Sequence, residues 1–228
     1  MRLDRFLSEA SGLTRSLAKK ALSRGEITVD GNVVKKGDIK IAHQQVCWEG
    51  RYLGLQPPRY IMLHKPQGYI SATKEEVHPC VLQLLPAEWA AGLQCAGRLD
   101  VDTMGLLLLT DDGKWSHRLR SPKKACNKVY RVDLAEPLTD DVVERFAEGV
   151  KLHGEDKATL PATLEVLTPT RVLLTIQEGK YHQVKRMFAA VGNHVIGLHR
   201  LQIGEIVLDN SLAPGEWRHL TAEEIASI

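Results

Sequence analysis

Apolar residues recur along this chain with two periods, and the change from one to the other divides it. Leu3, Phe6, Leu7 and Ala10 stand at i, i+3, i+4 and i+7, which predicts a short amphipathic helix broken at Ser11-Gly12. Thr14 then caps a second helix, TRSLAKKALSR, ended by Gly25. Leu17, Ala18, Ala21 and Leu22 fall on one face of it, and Arg15, Lys19, Lys20 and Arg24 on the other. Ile27 and Val29 alternate before Asp30-Gly31, a pair suited to a two-residue hairpin turn.

LQPPRY, residues 55–60, breaks the pattern with two prolines and reads as a linker. The boundary falls between 1–56 and 57–228. Beyond it, strand-like runs (YIMLH, GLLLLT, YRVDL, ATLEVL, RVLLTI, IGEIVLD) mix with helical patterns such as KWSHRLRS, TDDVVERFAEG and HQVKRMFAAVG. The two kinds do not alternate regularly, so the expected class is α+β with a largely antiparallel sheet, not a doubly wound α/β fold.

Composition narrows the field. With 43% hydrophobic and 25% charged residues the chain has an ordinary globular make-up. No apolar run approaches the ~20 residues of a membrane span, and MRLDRFLSEAS lacks the apolar core of a signal peptide. A cytoplasmic location is expected. Cys47, Cys80, Cys95 and Cys126 form no C-x-x-C pair and read as reduced structural thiols. Zinc-protease, P-loop and Rossmann signatures are absent. Residues 1–56 carry ten Lys/Arg against six Asp/Glu, whereas residues 57–228 carry twenty against twenty-two. That asymmetry suits a small basic module docking on a polyanion, with the cationic helix face meeting phosphates.

Candidate chemistry sits in four stretches. In GRLDVDTMGLLLLTDDG, residues 97–113, Asp111 and Asp112 have the setting of turn and capping residues after a buried strand. Asp100 and Asp102 stand in a loop leading into that strand, and the local pattern does not choose between them. In QEGKYHQVKRMFAAVGNHV, residues 177–195, a helix is predicted from near His182 to Gly192. Val184, Met187, Phe188 and Val191 make its buried face, and Arg186 points outward, free for phosphate. Lys185 lies at the edge of that face. It can reach inward to a carboxylate, though snorkelling to water is the commoner fate of such a lysine. Lys65-Pro66 and Gly68 form a rigid turn carrying a charge, and Lys128, Tyr130 and Val132 share one face of a strand. A tyrosine there faces either the core or a base.

Taken as a set, these motifs resemble known families. Arg2-Leu3-Asp4 with Phe6-Leu7, Thr14-Arg15-Ser16 with Ala18, and Gly25 through Gly31 resemble the S4 RNA-binding domain. Lys65-Pro66-Gln67-Gly68, Gly97-Arg98-Leu99-Asp100 with Thr103, Gly105 and Leu106, Lys128-Val129-Tyr130, and Glu178 through Met187 resemble the RsuA-type pseudouridine synthases. The resemblance implies an α+β chain: an S4-like (α-L) RNA-binding domain, then a catalytic domain with a largely antiparallel mixed sheet flanked by helices. It implies isomerisation of a uridine of 16S ribosomal RNA, uridine 516, after the nucleotide is flipped, with 23S RNA or a non-catalytic S4-type binder as alternatives. Asp100, Tyr130 and Lys185 are then the catalytic set: carboxylate, base-stacking ring and cationic partner. Arg98, Lys65, His182, Gln183, Arg186, Arg2, Arg15, Ser16, Lys19 and Lys20 are expected to contact RNA. No cofactor or metal is implied. The expected partner is 16S ribosomal RNA or a small-subunit assembly intermediate, met by a monomer without membrane contact. Asp102 matches a variable position, so the family pattern leaves it without a task.

Overall fold

A computed structural model describes residues 1–55, 57–72, 77–121 and 126–228, and the chain forms two compact units, Met1–Pro57 and Pro58–Ile228. In the first unit, helices α1 (Leu3–Ser11) and α2 (Arg15–Arg24) precede strands β1 (Ile27–Val29), β2 (Asn32–Val33), β3 (Val46–Trp48) and β4 (Arg51–Leu53). The strands form an antiparallel sheet in the order β2-β1-β3-β4. Local chemistry sets the ends of α2: the Thr14 side chain accepts from Leu17 N, and Gly25 takes the left-handed conformation that stops it. Asp30 and Gly31 both have positive φ, 49° and 80°, as a type I′ hairpin turn requires.

Leu3, Leu7, Ala18, Ala21, Leu22, Ile27, Ile41 and Val46 form this unit's core. Leu17 does not join them as expected, being exposed. Consecutive helical residues are ~100° apart, so a face centred on Ala18 and Leu22 turns Leu17 outward. Arg15, Ser16, Lys19 and Lys20 are also exposed.

The second unit contains β5 (Tyr60–Lys65), a 3₁₀ turn (Val81–Leu84), α3 (Ala87–Ala90), β6 (Gln94–Ala96), β7 (Met104–Thr110), α4 (Gly113–Arg120), β8 (Lys128–Leu134) and α5 (Val142–Glu148). These are followed by β9 (Thr163–Thr168), β10 (Arg171–Ile176), α6 (Gln183–Ala190), β11 (Val195–Ile203), β12 (Ile206–Val207), β13 (Trp217–His219) and α7 (Ala222–Ala226). Among the described residues its sheet has nine strands, ordered β13-β5-β7-β11-β8-β10-β9, with β6 beside β7 and β12 beside β11. β7 with β11 is the one parallel pairing among them, so the sheet is mixed and largely antiparallel. The run IGEIVLD is not a single strand: the chain turns back at Gly204, and β12 pairs with the end of β11.

Both sheet faces are covered, and the four leucines of β7 divide between them by strand alternation. Leu107 and Leu109 join one core with Tyr130, Val132, Phe146, Val184, Met187 and Phe188; Leu106 and Leu108 join the other with Met62, Trp115, Ile203 and Leu220. Gly105 allows β7 and β11 to approach. At its φ of 106° a Cβ would run into the Arg200 carbonyl and the His199 ring. No helix among the described residues is long and apolar enough to cross a membrane.

Candidate active site

The segment between β6 and β7, residues 97–103, is held along its length from several elements. Gly97, at φ 89°, turns the chain out of β6. Arg200, 1% exposed, donates from Nη2 to Gly97 O at 2.8 Å and from Nε to Leu106 O at 2.8 Å, with Nη1 at 3.4 Å from Arg98 O. Ser71 Oγ and the Leu99 backbone exchange two hydrogen bonds of 2.9 and 3.0 Å. Thr103 N closes a turn on Asp100 O at 3.1 Å, and Gly68 N donates to Val101 O at 2.8 Å.

Lys65 completes this clamp, which corrects the expectation that it contacts RNA. Its side chain is fully buried, and Nζ donates to the carbonyls of Pro66, Val101 and Thr103 at 3.0, 3.3 and 2.8 Å. Burial pulls its pKa down to about 8, against the opposing attraction of Asp102 and Asp100. The end of β5 and the turn after it thus hold the acidic loop by its backbone carbonyls and not by its carboxylates.

Opposite the loop stands the N-terminus of α6. His182, at φ 48° and ψ 34°, is left-handed and precedes the first helical turn. Its Nε2 is 3.5 Å from Asp100 Oδ1, and Lys185 Nζ is 3.5 Å from Asp100 Oδ2. Lys185 therefore reaches inward to a carboxylate. It is closer still to Asp102, with Nζ at 2.6 and 2.8 Å from the two carboxylate oxygens. Burial pushes the Asp102 carboxyl up, but the bond to Lys185 and its positive charge outweigh that, and the net shift is downward. Asp102 thus has a structural partner that its variable position did not suggest. Tyr130 is 7% exposed, in the same core cluster as Leu99 and Val184, the neighbours in sequence of Asp100 and Lys185. Strand alternation puts Tyr130 and Val132 on the face covered by α6.

Two more expectations change. Gln183 is 4% exposed; it donates to Glu178 Oε1 at 2.9 Å and accepts from Lys180 N at 2.9 Å, so it braces the start of α6 and is not open to RNA. Arg186 is not free for phosphate. Its guanidinium donates to Glu155 at 3.2 Å and to the carbonyls of Tyr181 and His153 at 3.0 and 2.6 Å. Glu155 also accepts from Lys180 Nζ at 3.1 Å, and these bonds hold its carboxyl below the usual range. Both residues are tied down by carboxylates from segments that helical periodicity does not register. In the first unit Arg2 is exposed, but Asp4 spans its guanidinium at 3.1 and 2.8 Å. Arg98 is exposed, with no side-chain partner among the described residues.

Sequence reasoning missed Arg200, Ser71 and Glu155. Arg200 had a visible signal: it stands two residues from buried Leu198 in a strand, so alternation places a charge on an inward face. Asp111 and Asp112 match their reading as turn and capping residues. Asp112 caps α4 through Lys114 N and Trp115 N and accepts from the Tyr60 hydroxyl, while Asp111 accepts from Arg59. The four cysteines are free thiols. No group of three or more His, Cys, Asp or Glu suited to a metal ion occurs among the described residues.

A carboxylate held in a backbone clamp, flanked by a lysine and a histidine with a tyrosine in the core beside them, is suited to work on an electrophilic carbon. Residues 59–190 match the RNA pseudouridylate synthase family and residues 1–44 the S4 domain, and the chain belongs to that synthase family. It is an RNA pseudouridine synthase, an isomerase, with an N-terminal S4 domain that binds RNA. Along its whole length it is similar to the ribosomal small subunit pseudouridine synthase A of Vibrio cholerae serotype O1, at 56% identity covering 100% of this chain and 99% of the other. The protein of that name from Escherichia coli strain K12 is 54% identical, with 100% of both chains covered. A crystal structure described as a pseudouridylate synthase superposes with a TM-score of 0.74 at 48% identity, covering 100% of this chain and 99% of that one.

Proposed function

We propose that the chain converts one uridine of small-subunit (16S) ribosomal RNA, uridine 516 by its resemblance, to pseudouridine. The substrate is the free RNA or a small-subunit assembly intermediate. The names of the full-length relatives support the choice of RNA. The observation that carries the chemistry is Asp100, one-third exposed, with Lys185 and His182 each 3.5 Å from its carboxylate.

The reaction breaks the C1′–N1 bond, turns the uracil, joins C5 to C1′, and moves one proton from C5 to N1. It balances without a cofactor. Asp100 starts it, by covalent attack or by taking the 2′ proton, and both routes use it as a carboxylate. Lys185 lies beside it as a cation that can offset charge as the reaction proceeds. Tyr130 stacks on the uracil as it turns. Flipping the nucleotide costs a few kcal/mol, and Arg98, exposed beside Asp100, fills the gap it leaves. Arg15, Ser16, Lys19 and Lys20 of α2 contribute phosphate contacts that offset the cost, and Arg2 adds a positive rim shared with Asp4. The protein acts as a monomer in the cytoplasm, the compartment of ribosome assembly.

Replacing Asp100 tests the reading. Asp100→Asn keeps the shape and removes the charge, so RNA affinity should stay within about threefold while pseudouridine formation falls by roughly 10³-fold or more. Pseudouridine mapping by reverse transcription after carbodiimide treatment reads the outcome. Turnover near the wild-type rate would overturn the assignment.

A further inference from the structure

Tyr181 is the most exposed aromatic side chain among the described residues, at 76%. A ring of that size ordinarily gains by burial, and this one is held in the open on a rigid backing. One of its faces stacks on His182, with centroids 3.8 Å and planes 21° apart. The backbone beneath is braced, because Tyr181 O accepts from Arg186, whose guanidinium is also fastened to Glu155 and His153 O. His182 adopts a left-handed conformation that is uncommon without glycine, and such outliers point to function. On its inner side, His182 Nε2 reaches to 3.5 Å from Asp100.

His182 thus meets the carboxylate through the edge of its ring and Tyr181 through its face, and the other side of Tyr181 is open to solvent. The stacked pair is spaced as successive bases are, so the free face of Tyr181 lies one stacking step beyond His182. Drawing one nucleotide out of an RNA strand unstacks its neighbour and leaves that neighbour's flat face exposed. A free aromatic face at the edge of the same site can receive it, whatever the base, because every base has a π-face.

We infer that the outer face of Tyr181 is a binding subsite for the unpaired nucleobase adjacent to the reacting uridine, held by stacking and not by base-edge hydrogen bonds. This rests on the reading of Asp100 as the reacting carboxylate. The test uses the full-length protein and an RNA fragment that the wild-type enzyme converts. The nucleotide on each side of the converted uridine is replaced in turn by an abasic one.

On the unmodified RNA, Tyr181→Ala should raise KM about tenfold or more with kcat within about threefold, and Tyr181→Phe should restore KM to within about twofold of wild type. Thermal unfolding checks that each variant is folded. On one of the two abasic RNAs, wild type and Tyr181→Ala should become equal. A wild-type KM for Tyr181→Ala, or a deficit that persists on both abasic RNAs, overturns the subsite. Failure of the Asp100 reading shows separately, as turnover by Asp100→Asn, and leaves this comparison intact because it depends only on the Tyr181 variants.

Discussion

Lys185 stands between two carboxylates, and its distances rank them: 2.6 Å to Asp102 and 3.5 Å to Asp100. Asp102 is also the more exposed of the two, at 60% against 32%, so its pair with Lys185 is more strongly screened by water. In our reading Asp102 holds the ammonium near the site, and Asp100 uses it. The two carboxylates then respond differently to mutation. Asp102→Asn leaves Lys185 its remaining partner and should lower kcat by no more than about tenfold, whereas Lys185→Met strips Asp100 of its cation and should cost on the order of 10²–10³-fold. Single-turnover rates on one RNA fragment compare the two variants. If Asp102→Asn is as inactive as Asp100→Asn, both carboxylates react and the single-aspartate mechanism is wrong.

The site depends on how elements hold one another, and the turn after β5 makes the clearest case. Buried Lys65 ties the loop before β7 by its carbonyls, and burial draws its pKa down to about 8. The unfolded chain holds that proton more tightly, so between about pH 8 and 10.5 the native state has released it while the unfolded state still binds it. Unfolding free energy must then rise with pH through that window from this residue alone. The difference in stability between wild type and Lys65→Met, from denaturant titrations, should be flat below pH 8. Above it, the difference should climb in favour of wild type by up to about 1.4 kcal/mol per pH unit. A difference that stays flat to pH 10.5 removes the buried ammonium from the clamp. On the other side of the site, Glu178 and Glu155 brace α6 through Gln183, Lys180 and Arg186. The loop and the helix carrying Asp100 and Lys185 are thus each fixed by side chains that do no chemistry.

At the scale of the whole molecule, a basic S4 unit joins a synthase unit of nearly balanced charge, and each has its own core. Arg15, Lys19 and Lys20 are exposed on α2. If they meet phosphates, neutralising all three to glutamine should flatten the plot of log affinity against log salt by about 2–3, at ~0.7–0.9 per contact. Filter binding over a salt series measures this, and an unchanged slope would remove the docking role from α2. How far these features were legible beforehand depended on the range of the interaction. The sequence by itself determined what neighbours within a turn or a strand decide: α2 between Thr14 and Gly25, the Asp30-Gly31 hairpin, the Asp112 cap, and the burial of the β7 leucines as a strand. Those follow from backbone hydrogen bonding and alternation, which are local. The motif set also pointed to Asp100 and Lys185 as partners, and the fold brings them to 3.5 Å. Only the tertiary structure decided which charges are already spent. Lys65 is taken up by carbonyls up to 38 positions away, Arg200 by one 103 positions away, and Arg186 by Glu155, 31 positions before it. A buried cation must find its acceptors wherever the fold brings them, and no periodicity in the chain records that pairing.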